Sequence, residues 1–393
     1  MALTTFVGSF TVPATTGNKS VSGVGFQPQL VIFFGTRRSA DGTSNTPGTN
    51  DEMPMTILGL ATSSSNRDVL HSTVDGSGAG SQFVTAAKCI HNEGSVVNYS
   101  ADFISMDSDG FTVNFTTANA TAYVVNYMAI GGTDLSNVTI KSFTAPTVTG
   151  NNAQTGVGFK PDAIIFIGES VSAGGYGFVS STTARGASSS DMGNFARYQR
   201  TSKAYVEISS TSVVFEADLV SFDTDGWTLN FTSVSGGSPT LYALCLKGAD
   251  FKAGNLLQKT STGIQAITGV GFQPTGLLFS TVMNTASTTI DSVASALEIG
   301  AASDTTHRGE ASATREGTPE NNANLNRAAI YISLNTGSGT TQALADLSSF
   351  DADGFTLNFT TADATAREIL YLALGNTGPA PAEDIGYMLN YHR

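Results

Sequence analysis

The sequence predicts an all-β protein: three tandem antiparallel β-sandwich domains, jelly-roll-like, in a compact pseudo-threefold arrangement. The first observation is a twelve-residue stretch that occurs three times, at Ser105–Thr116, Ser221–Thr232 and Ser349–Thr360. The third copy reads Ser-Phe-Asp-Ala-Asp-Gly-Phe-Thr-Leu-Asn-Phe-Thr. Three copies in 393 residues leave about 130 residues each, a domain with its own core and far more than a solenoid unit. The second observation is composition. Only 13% of residues are charged, against 42 Gly and 23 Phe, with Thr and Val abundant. Branched and aromatic side chains suit a pleated, half-buried surface. Third, the junctions 131–138 and 248–255 are too short for flexible linkers, so the copies pack together.

Repeat one (1–136) opens with Gly8-Ser-Phe-Thr-Val-Pro13, which alternates like a strand, and turns at Thr16-Gly-Asn18. Gly23-Val-Gly-Phe-Gln-Pro28 follows, then the apolar run Leu30–Phe34. The pair recurs as Gly156–Pro161 with Ile164–Ile167 and as Gly269–Pro274 with Leu277–Phe279. The bend delivers a Phe to the core, and Pro precedes a strand buried on both faces. From Thr36 to Gly94 the chain is polar and rich in Gly and Ser, with short strands expected at Met55–Ala61 and Gln82–Ile90. Val96–Met106, the Asp-x-Asp-Gly turn, Phe111–Thr116 and Ala122–Ile130 close the copy.

Repeat two (137–252) closes at Tyr242–Gly248, and repeat three (253–377) at Tyr371–Gly375. From the first Gly of the bend to the first Asp of the turn there are 84, 67 and 82 positions in the three copies. Constant ends around a variable centre predict a scaffold carrying surface loops, with Ser180–Ser190 a Ser-rich loop and Ile290–Gly300 a short helix. Residues 378–393 read as a linker, Gly378-Pro-Ala-Pro-Ala382, and an aromatic docking arm. The arm is expected to dock on a neighbouring subunit, since Ile385, Tyr387, Met388, Leu389 and Tyr391 would be wasted in solvent.

A formal charge of −13 and a pI near 4.6 disfavour nucleic acid and anionic membrane as partners. The N-terminal residues lack a basic region and a long apolar core, so no secretory signal is expected. No window approaches 18 consecutive apolar residues. Cys89 and Cys245 occupy non-equivalent places and read as buried fillers.

Spaced carboxylates at Asp107/Asp109, Asp223/Asp225 and Asp351/Asp353 invite a calcium reading, but a third ligand position and a distal Glu are missing. The preferred reading is a hairpin turn, with Asp capping backbone and Gly at positive φ. No metal or cofactor is therefore expected. His71, His91, His307 and His392 lack metal-ligand spacing; His91 suits a strand and the others loops. Asp102, Asp218 and Asp346, each on an apolar strand, are the best candidates for catalytic acids. An enzyme seldom needs its acid three times, so structural hydrogen bonds are the expectation, and no catalytic residues are assigned. Among the middle segments, Tyr176, Arg197 and Tyr198, with Tyr387 and Tyr391 of the arm, are the candidates for partner contacts.

At the level of Gly-Phe-x-Pro, Ser-Phe-Asp-x-Asp-Gly-Phe-Thr-Leu-Asn and Tyr-Leu-Ala-Leu-Gly, the chain resembles repeat proteins encoded in the structural modules of tailed bacteriophages and prophages. The likeness covers most of the chain and is strongest at Ser349–Asn358 and Tyr371–Gly375. Repeat two departs from it at Trp227 and Cys245-Leu-Lys247, and repeat one at Met106 and Met128-Ala-Ile130. The family has no established activity. The resemblance implies a virion location; the lack of a catalytic constellation leads to the expectation of a non-enzymatic role, and the lack of a secretory signal to assembly in the host cytoplasm. The expected partners are virion proteins, the major capsid protein or tail components, with a host surface glycan as a further possibility.

Overall fold

The computed structural model describes residues 2–42, 55–74, 80–93, 96–169, 173–285, 289–304, 306–315, 321–336 and 338–378. The described residues form thirty strands and no helix. Repeat one holds β1 (Thr4–Thr11), β2 (Gly17–Ser22), β3 (Leu30–Gly35), β4 (Met55–Ala61), β5 (Arg67–Val74), β6 (Gly80–Thr85), β7 (Ile90–Glu93), β8 (Val97–Asp107), β9 (Gly110–Thr117) and β10 (Val124–Gly131). Repeat two follows with β11 (Asn137–Thr144), β12 (Gly150–Thr155), β13 (Ala163–Glu169), β14 (Gly174–Val179), β15 (Arg185–Asp191), β16 (Ala196–Arg200), β17 (Tyr205–Ser209), β18 (Ser212–Asp223), β19 (Gly226–Ser233) and β20 (Thr240–Lys247). Repeat three holds β21 (Asp250–Leu257), β22 (Gly263–Thr268), β23 (Pro274–Thr281), β24 (Ala294–Ser303), β25 (Thr306–Arg315), β26 (Asn321–Arg327), β27 (Tyr331–Leu334), β28 (Thr341–Asp351), β29 (Gly354–Thr361) and β30 (Glu368–Gly375).

Each repeat pairs a six-stranded sheet with a four-stranded one. In repeat one the orders are β1-β10-β3-β4-β5-β6 and β2-β9-β8-β7, and the same orders recur ten strands later and again twenty strands later. The described pairings are antiparallel. Their core explains the two apolar patterns in the sequence. The closing hairpin alternates because one face of the four-stranded sheet meets solvent, so Phe111, Val113 and Phe115 are buried while Asn114 and Thr116 are not. The runs Leu30–Phe34 and Ile164–Ile167 are continuous because the six-stranded sheet is covered on both faces. From β3, Val31 and Phe33 enter the sandwich core, while Leu30, Ile32 and Phe34 enter a second core on the far side. β13, β20, β23 and β30 divide their side chains in the same way.

That second core is shared. It takes Ile32 and Leu60 from repeat one, Ile165 and Leu244 from repeat two, and Ile299 and Leu372 from repeat three. At roughly 1.5–3 kcal/mol for each large side chain removed from water, this common core binds the three sandwiches into one body.

Hydrogen bonds between repeats close the body into a ring. The opening strand is an edge of its sheet, with amides that would otherwise face outward. At its fourth residue the amide meets a polar side chain from the end of the fourth strand of the preceding repeat or from the turn that follows it. Ile140 N donates to Asn66 Oδ1 at 2.8 Å, Ala253 N to Ser180 Oγ at 2.8 Å, and Val7 N to Ser303 Oγ at 2.8 Å. Repeat one thus engages two, two engages three, and three engages one, a head-to-tail arrangement that closes.

Four sequence expectations are corrected. The middle segments, taken as surface loops, supply the fourth to sixth strands of each six-stranded sheet and much of the shared core. Ser188, Ser189 and Ser190 lie in β15 and are buried; serine suits this site because Ser188 Oγ lies 3.3 Å from Ser280 Oγ and Ser189 Oγ accepts from Ile208 N at 3.1 Å. Ile290–Gly300, expected to form a short helix, runs into β24, where pairing to β23 and β25 on both sides overrides helix propensity. The third repeat opens at Asp250, three residues before the expected boundary, because Asp250 pairs with Gly375. Also, His71 lies in β5 and His307 in β25, not in loops.

Candidate functional site

The repeated hairpin is spent on the fold. Asp107 Oδ1 accepts from Ser105 Oγ at 2.7 Å and Oδ2 from Thr112 Oγ1 at 2.7 Å, tying the two strands of the turn. Asp223 and Asp351 make the same pair of bonds to Ser221 and Thr228 and to Ser349 and Thr356. The second Asp reaches the Gly-x-Gly bend that follows the neighbouring strand of the same four-stranded sheet. Asp109 accepts from Gly23 N at 3.0 Å and Gly25 N at 2.6 Å, Asp225 from Gly156 N and Gly158 N at 2.8 and 2.6 Å, and Asp353 from Gly269 N and Gly271 N at 3.1 and 2.6 Å. These backbone bonds hold the Asp109 and Asp225 carboxyls below the usual carboxylate range. Two motifs 67 to 86 residues apart therefore recur together because each carboxylate accepts from both glycine amides. The turn glycines Gly110, Gly226 and Gly354 have φ of 146°, 152° and 147°, which favours Gly there.

The strand aspartates are held by basic groups from the neighbouring sheet and from the connection that leads out of it. Asp102 lies 3.3 Å from Arg67 Nη2 and 3.0 Å from Lys88 Nζ, and Asp218 lies 3.1 Å from both Arg185 Nη2 and Lys203 Nζ. Asp346 has His307 Nε2 at 3.3 Å instead. The pattern is a repeated clamp between sheets.

The expected contact residues sit elsewhere than the sequence suggested. Tyr176 is 4% exposed and faces the shared core, beside a cavity of about 20 Å³ that Ile32, Leu58, Ile165, Leu278 and Ile299 also line. Tyr198 is 3% exposed, packed with Ala173, Ala187 and Val206, and its hydroxyl accepts from Arg200 Nη1 at 2.6 Å. Neither ring offers a face to a ligand; each completes a core that the sequence segments hide by sharing no letters. Arg197 joins repeats two and three. Its Nε and Nη2 reach Asp291 Oδ2 at 2.9 and 2.7 Å, and Nη1 donates to the carbonyls of Val282 and Met283 at 3.3 and 3.2 Å. Tyr387 and Tyr391 lie outside the described residues.

Sequence reasoning missed a set of buried carboxyls. Glu298 and Glu310 are both 0% exposed, with the Ile332 backbone amide the donor beside Glu298. Burial drives both well above the ordinary carboxyl range, with the neighbouring Glu298 adding to the effect on Glu310. In repeat two, Tyr205 Oη donates to Glu207 Oε2 at 2.8 Å, and burial followed by Glu207 pushes Glu169 to about 8. A lone Glu inside an apolar run, as in Ala-Leu-Glu-Ile-Gly, was the available signal. Both carboxyls are sealed from solvent among the described residues.

The best candidate for a contact site is a groove of about 630 Å³ at the seam between repeats three and one. Thr4, Val24 and Phe26 form one wall; Gln273, Pro274 and Phe350 form the other. Asp304 and Ser348 also line it, Ser348 on the side of Phe350. Phe26 and Phe350 are partly exposed, so the groove carries aromatic surface that no other repeat element covers completely. It belongs to the bend-and-hairpin pair the sequence singled out, but at a junction that only the closed ring creates. Among the described residues, no group of three or more His, Cys, Asp and Glu is placed to hold a metal, and no helix is long and apolar enough to cross a membrane. Comparison with protein-family models and with curated proteins finds no match for this chain.

Proposed function

We propose that this chain is a non-enzymatic structural protein of a tailed-bacteriophage virion, a decoration or cement protein that binds the capsid surface. The observation that carries the reading is the closed ring, in which Asn66, Ser180 and Ser303 make equivalent contacts from repeat to repeat. One polypeptide thereby offers three related faces, the geometry suited to a local threefold or quasi-threefold point of a lattice. The spending of the repeated carboxylates on the fold supports the same reading, since the three-times-written motif is committed to architecture. The partner is then the major capsid protein. Co-sedimentation of the purified chain with expanded capsids tests this directly. Saturable binding with one chain per threefold position is expected, and absence of binding, or location on tails in electron micrographs of intact particles, overturns it.

A second reading, a receptor- or glycan-binding protein of a tail or head fibre, draws on the seam groove and its partly exposed Phe26 and Phe350. Aromatic faces beside Thr, Gln and Ser suit a sugar. A glycan array is its test: binding weakened by Phe350→Ala supports it, and an empty array removes it.

A further inference from the structure

The groove between repeats three and one lies where the other two seams are crossed by the chain itself. In each repeat the residue after the bend proline faces the seam. In repeat one this is Gln29, whose side-chain amide, with its nitrogen turned inward, donates to the carbonyls of Gly132 at 3.2 Å and Leu135 at 3.0 Å as the chain passes into repeat two. In repeat two it is Asp162, whose Oδ2 accepts from Gly248 N at 2.8 Å as the chain passes into repeat three. In repeat three it is Thr275. No covalent connection leads onward from repeat three to repeat one, and Thr275 lines the open groove.

The chain leaves the fold at the edge of that groove. β30 ends at Gly375, where an added Cβ would meet Phe272 and the carbonyl of Gln273, and Gln273 is itself a wall residue. The described chain ends at Gly378, and the sequence beyond it is Pro-Ala-Pro-Ala-Glu-Asp-Ile-Gly-Tyr-Met-Leu-Asn-Tyr-His-Arg. At up to about 3.4 Å per residue, the stretch from Gly378 to Ile385 spans about 25 Å, enough to lie along a groove that begins beside its anchor. Its Ile, Tyr, Met and Leu match walls built from Val24, Phe26, Pro274 and Phe350. A tether this short gives a local concentration in the millimolar range, so a second copy or a free peptide competes poorly.

We propose that the groove is the docking site of the chain's own C-terminal segment, residues 379–393, bound within the same molecule. Chain would then cross all three seams of the ring, twice as linkers and once as a terminal strap. The inference stands independently of the virion reading.

Cysteine cross-linking of the full chain tests it. Ser348→Cys on one wall, or Thr4→Cys on the other should the first fold poorly, is combined with Met388→Cys. The native Cys89 and Cys245 are fully buried, with thiols that burial pushes far above the usual range, so they stay out of the reaction. The control pairs Met388→Cys with Val148→Cys, an exposed site in repeat two. The expected result is a disulfide within the monomer that forms at least tenfold faster than in the control, at a rate independent of protein concentration. Equal rates for groove and control pairs overturn the proposal. Disulfide-linked dimers whose yield rises with concentration also overturn it, assigning the groove to a second copy.

Discussion

Breaking the link between Arg197 and Asp291 tests whether the second seam is closed as described. The guanidinium is mostly buried, with a side-chain exposure of 12%, against 21% for the carboxylate. Burial lowers the Arg197 pKa while Asp291 raises it, so the carboxylate compensates for a charge taken out of water. Asp291→Ala leaves the guanidinium facing only the carbonyls of Val282 and Met283. Breaking a fully buried pair costs 3–5 kcal/mol, and the partial exposure of Asp291 places this one at about 2–3 kcal/mol. Arg197→Met removes the charge and keeps an apolar stem, so the loss should be smaller, about 1–2 kcal/mol. The double variant should then show a coupling of about 1–2 kcal/mol. Trp227 is the chain's one tryptophan and is buried in the sandwich of repeat two, so its fluorescence during urea unfolding reports the repeat that carries Arg197. The thermal shift carries further information. At about 2.1 cal/mol/K per residue, a 3 kcal/mol loss lowers Tm by about 4 °C if all 393 residues unfold together, but by about 11 °C if a lone domain of about 130 residues unfolds. Costs below about 0.5 kcal/mol for both single variants, with no coupling, would refute the seam.

Other predictions follow from the buried carboxyls, the hairpins and the lone tryptophan. Glu298 and Glu310 have raised folded-state pKa values, so their contribution is complete below the ordinary carboxyl value and is lost as pH rises. Glu169 adds the same trend up to about 8. The double variant Glu298→Gln/Glu310→Gln should therefore narrow the gap in Tm between pH 5 and pH 8; an unchanged gap contradicts the assignment. Asp109 and Asp225 act in the opposite sense, with depressed values whose stabilisation disappears as pH falls below about 4, so acid unfolding should become shallower in Asp109→Ala/Asp225→Ala. Because the first Asp of each turn is satisfied by Ser and Thr hydroxyls, millimolar calcium should leave Tm unchanged, and a rise that Asp107→Asn abolishes would restore the metal reading. Trp227→Phe should fall within about 1 kcal/mol of the parent by circular dichroism. The smaller ring leaves a cavity worth about 1 kcal/mol, but the change also removes an indole N–H that is buried without a partner. A loss above about 3 kcal/mol would show that the indole is better accommodated than this.

How much of the architecture was legible depends on whether a position constrains the backbone or only fills space. The Asp-x-Asp-Gly turn and Gly-x-Gly bend were legible because glycine conformation and carboxylate capping allow few substitutes, as at Gly110, Gly226 and Gly354. The middle strands were not. Leu58, Tyr176 and Ile299 occupy corresponding places in the shared core, and burial alone accepts any of these side chains. Serines 188–190 look like a loop in isolation and become a strand interior only when Ser280 and Ile208 N are supplied by other elements. Tyr198 and Arg197 looked exposed for the same reason: the surfaces that bury them come from distant sequence. The seam groove could not be read at all, because its walls, Phe26 and Phe350, lie in different repeats that meet only after the ring closes.

The central claim is that three sandwiches share one core and unfold as one body. Leu372→Ala tests it most directly, since Leu372 in β30 is fully buried in the shared core and far in sequence from Trp227. The substitution should cost about 2–5 kcal/mol, and the Trp227 fluorescence and far-ultraviolet transitions in urea should remain superimposed while both shift to lower denaturant. A Trp227 midpoint that stays in place while part of the far-ultraviolet signal moves would mean three independent domains and would contradict the ring.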